Sequence, residues 1–121
     1  MVAMGRVVGI DLGTTYSAVA VLGDDGLPEI LKNADGEPTT PSVVLFQSFD
    51  GKDEPLVGTM AKHSAASDPD NVVQFVKRQM GNPDWRFDSD SGVSYSAEEV
   101  SSLIIKKLLQ DAEQALGEEI C

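Results

Sequence analysis

Five residues near the start of the chain have the types and spacing of an anion-binding turn. In the stretch DLGTTYS, Asp11 comes just before Gly13, and two threonines and Tyr16 follow. A glycine at this point leaves the backbone free in φ, so that it can turn tightly and approach a ligand closely. The successive amides of Thr14, Thr15 and Tyr16 can then point into one concavity, where the threonine hydroxyls add further donors. These donors are suited to holding a phosphate group.

Asp11 suits a different part of such a site. A carboxylate repels a phosphate directly, so its useful role is to hold a hydrated divalent cation. Magnesium fits, because it keeps several waters and commonly takes only one or two carboxylates. The stretch is not a Walker P-loop, since it lacks the lysine of that motif and a strand follows the turn. From these residues alone, an ordinary tight hairpin with polar turn residues is the alternative interpretation.

The composition is that of an acidic chain with ordinary hydrophobicity. The 121 residues include 20 acidic and 9 basic ones, which give a formal net charge of -11, and 41% of them are hydrophobic. This charge argues against nucleic acid as a partner, but a nucleotide needs only local donors for its phosphates. No apolar run approaches the roughly 20 residues that span a bilayer, so we expect no membrane partner. The single cysteine, Cys121, forms no internal disulfide, which fits a cytoplasmic location.

The first half of the chain has the alternation and turn signals of an antiparallel sheet. Strands are predicted over residues 6–12, 16–22, 27–32, 42–46 and 55–58. The first two form a hairpin across GTT. The stretch 33–42 is predicted to be a loop, because its prolines withhold backbone donors from a ladder, and the stretch 48–54 to be a loop or hairpin turn.

Helical spacing predominates from Thr59 onward. A short helix is predicted over 60–66 with Thr59 as its N-cap, and a second over 71–81, between the cap Asn71 and Gly81. The apolar stripe of that second helix contains Val72, Val73, Phe75, Val76 and Met80. Residues 83–95 are predicted to form a hairpin around SDSG.

The last predicted element is a long helix over 96–117. Ser96 and Glu99 form a capping box, and Gly117 suits the C-terminal cap. Its apolar stripe contains Val100, Leu103, Ile104, Leu108, Ala112, Ala115 and Leu116. Such a stripe packs on a sheet, and no further strand follows it. We therefore expect the chain to be truncated and to self-associate through an uncovered face.

The stretch around Asp11 resembles the first phosphate-binding signature of the DnaK-type seventy-kilodalton heat-shock chaperones. That family opens with a strand and IDLGTT, and this chain has IDLGTTYS. Four later stretches are similar to family segments in the same order, namely NADGEPTTPSVVLF, LVGTMAKHSA, NVVQFVKRQMG and YSAEEVSSLIIKKLLQDAEQALGE. Five similar stretches in order are far more specific than any one of them.

The resemblance implies an α/β fold of the actin-like (ribonuclease H-like) ATPase type, present only as its first lobe. It implies core strands with the phosphate-binding hairpin over 1–40, a peripheral α+β subdomain over 41–95 and a long helix over 96–117. The second phosphate loop, the adenosine pocket and the opposite lobe have no counterpart in these residues. Because such sites divide their phosphate contacts between two lobes, we expect the chain alone neither to hydrolyse ATP measurably nor to bind it tightly.

The resemblance also implies roles for single residues. Gly13, Thr14, Thr15 and Tyr16 would contact the phosphates of ATP or ADP, and Asp11 would bind magnesium through water.

Lys77 would be the catalytic residue, reaching in from the peripheral subdomain to orient the attacking water or to stabilise charge on the γ-phosphate. Without the resemblance, Lys77 is better interpreted as a solvated helix lysine. Arg78 is expected to pair with a part of the protein outside this chain.

For the parent protein, the resemblance implies a cytoplasmic chaperone whose ATPase cycle drives the binding and release of unfolded polypeptides. A J-domain co-chaperone and a nucleotide exchange factor would be its partners, and potassium would be a further ion. Two alternatives stay open: a sugar or acetate kinase of the same superfold, and a stand-alone interaction module with a vestigial turn. Among the remaining residues, His63 is expected at the surface, and Trp85 and Phe87 in core or edge packing.

Overall fold

The structure is a computed structural model that describes residues 8–23 and 25–117. These residues form two α-helices, two short 3₁₀ helices and nine strands. In chain order they are β1 (Val8–Leu12), β2 (Tyr16–Leu22), β3 (Pro28–Leu31), β4 (Thr40–Pro41), β5 (Val43–Phe49), β6 (Lys52–Val57), α1 (Thr59–Ser64), a 3₁₀ helix (Pro69–Asn71), β7 (Val72–Gln74), a second 3₁₀ helix (Val76–Gln79), β8 (Phe87–Asp88), β9 (Ser94–Tyr95) and α2 (Ala97–Leu116). Neither α-helix is both long and apolar enough to cross a bilayer.

The first sheet contains the candidate turn. β1, β2 and β3 are antiparallel neighbours in that order, and β4 pairs with the start of β2. The three predicted strands are confirmed, although residues 6 and 7 lie outside the described residues. The predicted loop over 33–42 is wrong at its end, because Thr40 and Pro41 pair with Ser17 and Tyr16. Proline is tolerated there because β4 is only two residues long and lies at the sheet edge.

The second sheet has the order β6-β5-β7, with both pairs antiparallel. β5 and β6 are longer than predicted, because the register pairs Phe49 with Lys52 and leaves only Asp50 and Gly51 in the turn. Both turn residues have positive φ, 51° and 76°. An Asp-Gly pair favours this backbone, whose twist matches that of the flanking strands. Of the predicted loop or hairpin turn over 48–54, the hairpin turn is confirmed at Asp50 and Gly51, and the other residues are strand.

The predicted helix over 71–81 is wrong. Residues Val72–Gln74 form β7 instead, which extends the second sheet by pairing Val73 with Val44. Phe75 then adopts a left-handed backbone, and a single 3₁₀ turn follows over Val76–Gln79. An eleven-residue helix is marginal by its own propensity, and the β-branched Val72 and Val73 gain more from completing a sheet edge.

The short helix α1 is confirmed, but its predicted cap is wrong. Thr59 is the first helical residue, and Gly58 occupies the N-cap position without a side-chain hydrogen bond.

The predicted hairpin over 83–95 is confirmed as β8 and β9, and its aromatic residues pack on the second sheet. The ring centroids of Phe87 and Tyr95 each lie 4.7 Å from that of Phe46. Trp85 and Phe87 are partly buried against the core, as expected.

One carboxylate joins this hairpin to β6. Asp53 Oδ2 accepts hydrogen bonds from the Tyr95 hydroxyl at 2.7 Å and from Ser89 Oγ at 2.8 Å, and Asp53 Oδ1 accepts one from Ser48 Oγ at 3.2 Å. Burial, followed by the hydrogen bond and negative charge of Asp53, raises the pKa of Tyr95 to about 12. The hydroxyl is therefore a permanent donor at neutral pH.

The long helix α2 packs against both sheets. Its capping box is confirmed: Ser96 Oγ accepts from the Glu99 amide at 3.1 Å, and the Glu99 carboxylate accepts from the Ser96 amide at 3.0 Å. Gly117 forms the C-cap with φ 69°. One hydrophobic cluster contains Val100, Ile104, Leu108 and Ala112 of α2, Val19 of the first sheet, and Val44, Phe46 and Val73 of the second. Of the predicted stripe, Ala115 is exposed.

The bond between Tyr95 and Asp53 gives a prediction for stability. Tyr95→Phe keeps the ring and removes the donor, and it should lower the free energy of unfolding at pH 7 by about 1 kcal/mol. Hydrogen bonds to charged groups contribute roughly 1.5–3 kcal/mol, and partial exposure reduces this. Urea denaturation of both proteins measures the difference.

The same difference should depend on pH. Burial raises the pKa of Asp53, but the hydrogen bonds from Tyr95, Ser89 and Ser48 together hold it below its ordinary value. A carboxyl group whose pKa is lower in the folded than in the unfolded protein stabilises the fold at pH values above its unfolded-state pKa. That stabilisation is lost as the pH falls through the folded-state pKa. The effect of Tyr95→Phe should therefore shrink below about pH 4. The control Tyr16→Phe removes a hydroxyl bonded to Lys62, so its effect should stay constant over this range. A constant effect for Tyr95→Phe would contradict the assignment.

Candidate functional site

The turn between β1 and β2 contains the predicted phosphate-binding residues. The ladder pairs Leu12 with Ser17, so the chain reverses over the four residues between them. Gly13 does not have a left-handed backbone, so the expected freedom in φ is not what this turn uses. A Cβ atom at Gly13 would instead overlap the carbonyl oxygen of Tyr16. Glycine is required at this position because the backbone approaches itself closely.

Ser42, between β4 and β5, fixes this turn from outside. Its amide donates to the Thr15 carbonyl at 2.9 Å, and its hydroxyl donates to the Gly13 carbonyl at 2.9 Å. The hydroxyl of Ser17 lies 2.8 Å from that of Ser42. Because the Ser42 proton is already used on Gly13, Ser17 is the donor of this pair. Ser42 is only 2% exposed, so water cannot replace these bonds.

The donors of the turn remain unused. Ser42 takes the carbonyl oxygens of Gly13 and Thr15. Within residues 8–23 and 25–117, nothing accepts a hydrogen bond from the amides or the hydroxyls of Thr14 and Thr15. Thr14 is half-buried and Thr15 is exposed. The turn therefore presents four free donors on two adjacent residues, which is the property required of an anion-binding turn.

Asp11 lies two residues before the turn, on β1. It pairs with Ala18 across the ladder and is exposed. No group of three or more carboxylates, histidines or cysteines that suits a metal ion occurs in the described part of the chain. A lone carboxylate suits magnesium that keeps its waters and takes its other ligands from phosphates, and it does not suit an all-protein metal cage.

Tyr16 presents its side chain away from the core and is 44% exposed. The ammonium group of Lys62, on α1, donates a hydrogen bond to the Tyr16 hydroxyl and lies 4.7 Å from the centroid of its ring. The lysine is held beside the turn by a hydrogen bond and a cation–π contact on the same residue. The spacing of residues in the sequence assigns no role to Lys62, because only the fold brings residues 16 and 62 together.

A cavity of about 90 Å³ opens beside the turn. Its lining brings together Thr14 and Thr15 of the turn, Ser42 and Val43 at the start of β5, Lys62 of α1, and Gln74 and Phe75 at the end of β7. The structure thus places the segment just before Lys77 next to the candidate turn. It also gives this acidic chain a local cation there.

Lys77 lies on the second 3₁₀ helix, not on the predicted α-helix. It is exposed, and its side chain forms no hydrogen bond or ion pair with any described residue. Arg78, next in the chain, has its guanidinium carbon 4.7 Å from the centroid of the Phe75 ring. Lys77 is therefore a free ammonium group two residues beyond the cavity lining.

Among residues 8–23 and 25–117, no remaining candidate belongs to a group of three or more possible metal ligands. His63 is exposed, as expected, and lines a second opening of about 230 Å³ with Tyr16 and Lys62. Cys121 lies outside the described residues.

Removing the Ser42 hydroxyl should loosen the turn. Ser42→Ala leaves the Gly13 carbonyl and the Ser17 hydroxyl without their buried partner, so we expect the free energy of unfolding to fall by about 1–3 kcal/mol. Ser102→Ala is the matched control, because the exposed Ser102 hydroxyl bonds only to the carbonyl of Glu99; its effect should stay within about 0.5 kcal/mol. Equal effects in urea denaturation would show that Ser42 does not hold the turn.

The close approach at Gly13 gives a second prediction. Gly13→Ala introduces a methyl group where the Tyr16 carbonyl lies, so the turn must change and the protein should lose about 1–3 kcal/mol of stability. Gly9→Ala, on the strand β1 that leads into the turn, is the control, because an added Cβ meets nothing within 4 Å there. Circular dichroism melting of the two variants makes the comparison. A Gly13→Ala protein as stable as Gly9→Ala would contradict this geometry.

Most of the chain is similar to a known protein family. The family model described as Hsp70 protein matches residues 7–91, which is more than half of the chain. The matched region includes the turn, Ser42, Lys62 and Lys77, whereas α2 lies beyond it. The mixed α/β structure with antiparallel sheets is consistent with part of the actin-like ATPase fold of that family. The chain belongs to the Hsp70 family and contains a region of its chaperone-type ATPase domain.

Proposed function

We propose that this chain forms the phosphate-binding wall of the ATP cleft in a DnaK-type chaperone. One observation carries the proposal: Ser42 donates to the carbonyl oxygens of Gly13 and Thr15, while the amides and hydroxyls of Thr14 and Thr15 have no acceptor among the residues that the structure describes. A turn with two of its carbonyl oxygens occupied and four donors unused favours an anion. The amide of Tyr16 completes the proposed set of phosphate contacts.

Asp11 is the proposed magnesium residue, acting through water. When bound, the ion would neutralise charge on the phosphate oxygens. Asp11 is exposed and lies on the strand that leads into the turn. Its carboxylate can accept hydrogen bonds from metal-bound waters while the phosphates, not the protein, complete the ion's shell. Potassium is proposed as a further ion of the whole protein.

Lys77 is the proposed catalytic residue. Its ammonium group has no partner within residues 8–23 and 25–117, and it follows a segment that borders Thr14 and Thr15. In phosphoryl transfer, a cation placed at the γ-phosphate stabilises the charge spread over its equatorial oxygens, and a donor can orient the attacking water. Lys62, held by Tyr16, supplies a second positive charge close to the same turn.

For the whole protein, we propose that ATP binding and hydrolysis are coupled to the binding and release of unfolded polypeptides. A J-domain co-chaperone and a nucleotide exchange factor are its proposed partners, in the cytoplasm.

The division into core strands over 1–40, a peripheral subdomain over 41–95 and a helix over 96–117 remains a prediction, as does self-association of the chain. The family match favours the chaperone over a sugar or acetate kinase. A stand-alone interaction module differs from both, because its function does not require that the turn binds a nucleotide.

Nitrogen-15 NMR of this chain, titrated with magnesium ATP, tests the proposed site. We expect weak binding, in the millimolar range, because one wall of a cleft supplies only part of the phosphate contacts. Shifts should concentrate at Gly13–Tyr16 and Lys77. Lys77→Gln should remove the shift at position 77 and weaken binding, whereas Lys106→Gln, an exposed lysine on α2, should do neither. Uniform shifts, or none up to tens of millimolar, would contradict phosphate binding by the turn.

The rate of ATP hydrolysis should differ between this chain and the complete gene product. The chain alone should match a buffer blank, while in the complete gene product Lys77→Gln should lower kcat by about 10²–10³-fold. Stimulation of that turnover by an unfolded peptide would support the chaperone, and its absence would favour a kinase-type ATPase.

A further inference from the structure

Phe75 has a backbone conformation that its side chain disfavours. Its φ and ψ are 57° and 31°, in the left-handed region. A bulky residue rarely adopts this conformation, because its Cβ crowds the neighbouring carbonyl oxygen. Among residues 8–23 and 25–117, the other non-glycine residue with positive φ is Asp50, in the β5–β6 turn. Aspartate tolerates this region and phenylalanine does not, so Phe75 needs a separate explanation.

The conformation is fixed from both sides. Before Phe75, Val73 is paired with Val44 in the second sheet. After it, Val76 is 2% exposed in the core. Between these two anchors the chain must leave the strand and start a 3₁₀ turn within one residue, which the left-handed backbone achieves. The Arg78 amide then donates to the Phe75 carbonyl at 3.1 Å, which closes the turn.

The ring of Phe75 is not part of the core. It is 40% exposed, and it has the Arg78 guanidinium over its face at 4.7 Å. Phe75 also lines the 90 Å³ cavity together with Thr14 and Thr15. The residue therefore contacts a cation and borders the candidate phosphate turn. Glycine or asparagine would make the same chain reversal with less strain, but neither would supply this ring.

We propose that Phe75 is a positioning residue for Lys77, and that Arg78 holds Phe75 in place. The strained backbone sets the direction in which the 3₁₀ helix leaves β7, and the ring, stacked under Arg78, prevents that helix from rotating. Lys77 lies between Phe75 and Arg78 in sequence, so the chain is held on both sides of it. This inference rests on the proposed function, since it concerns the same lysine.

Strained residues that the surrounding structure over-determines are typical of functional sites. Here the strain lies two residues from the one predicted catalytic side chain and borders the predicted phosphate turn. The role proposed for Arg78 also differs from the expected ion pair with a part outside this chain, because the guanidinium is already engaged with a ring.

The test combines Phe75→Gly with a matched control. Asp50→Gly relieves the same type of backbone conformation in a turn outside the site. The first readout, on this chain, is the NMR backbone order parameter of Lys77 together with the urea midpoint. We expect Phe75→Gly to keep or raise the midpoint while the order parameter falls from about 0.85 to below about 0.6. Asp50→Gly should leave the order parameter unchanged. Arg78→Gln, which keeps the backbone of Phe75, should loosen Lys77 to a smaller extent.

The second readout is ATP hydrolysis by the complete gene product. Phe75→Gly should lower kcat by about ten- to a hundredfold with a change in KM of less than twofold, because misplacing a catalytic group affects the transition state more than ground-state binding. An order parameter for Lys77 that stays high in both Phe75→Gly and Arg78→Gln would overturn the positioning role. A midpoint that collapses in Phe75→Gly, with Lys77 still ordered in Arg78→Gln, would also overturn it and assign Phe75 to packing. A loosened Lys77 with unchanged kcat would support the positioning but contradict the catalytic role of Lys77.

Discussion

The bonds from Ser42 to the turn between β1 and β2 are the constraint on which the candidate site depends. They occupy the carbonyls of Gly13 and Thr15, while the donors of Thr14 and Thr15 have no acceptor among the described residues. The same residue stands between β4, which pairs with β2 in the first sheet, and β5, which is the centre of the second. The turn is consequently tied to the point where the chain passes from one sheet to the other.

The second requirement is that both sheets share one core. Helix α2 buries Ile104 and Leu108 in a cluster that also contains Val19 of the first sheet and Val44 of the second. Val76 belongs to this cluster, and it immediately precedes Lys77. Burial of Val76 therefore fixes the backbone beside Lys77 relative to the candidate turn, although the two lie far apart in sequence. The capping box at Ser96 sets where the helix begins, and hence which of its faces meets the sheets.

The charge of the site is decided locally and not by the composition. The chain has a formal net charge of -11, yet the cavity beside Thr14 and Thr15 contains Lys62, held by the hydroxyl and ring of Tyr16. Charges more than about 10 Å apart are largely screened, so nearby groups such as Lys62 and Asp11 count for more at the turn than the net charge does. The net charge of the chain therefore does not exclude a phosphate from this position.

The sequence by itself determined the features that depend on neighbouring residues: the alternating strands of the first sheet, the capping box of α2, the hairpin over 83–95 and the stretches that resemble Hsp70 proteins. The tertiary structure alone decided three others. It made Val72–Gln74 a strand, because the open edge of β5 offers pairing that an apolar pattern cannot show. It placed Ser42 where its hydrogen bonds hold the turn, and it placed the ammonium group of Lys62 beside the turn. Their partners lie 25, 29 and 46 residues away, and no periodicity of the sequence links residues at such separations.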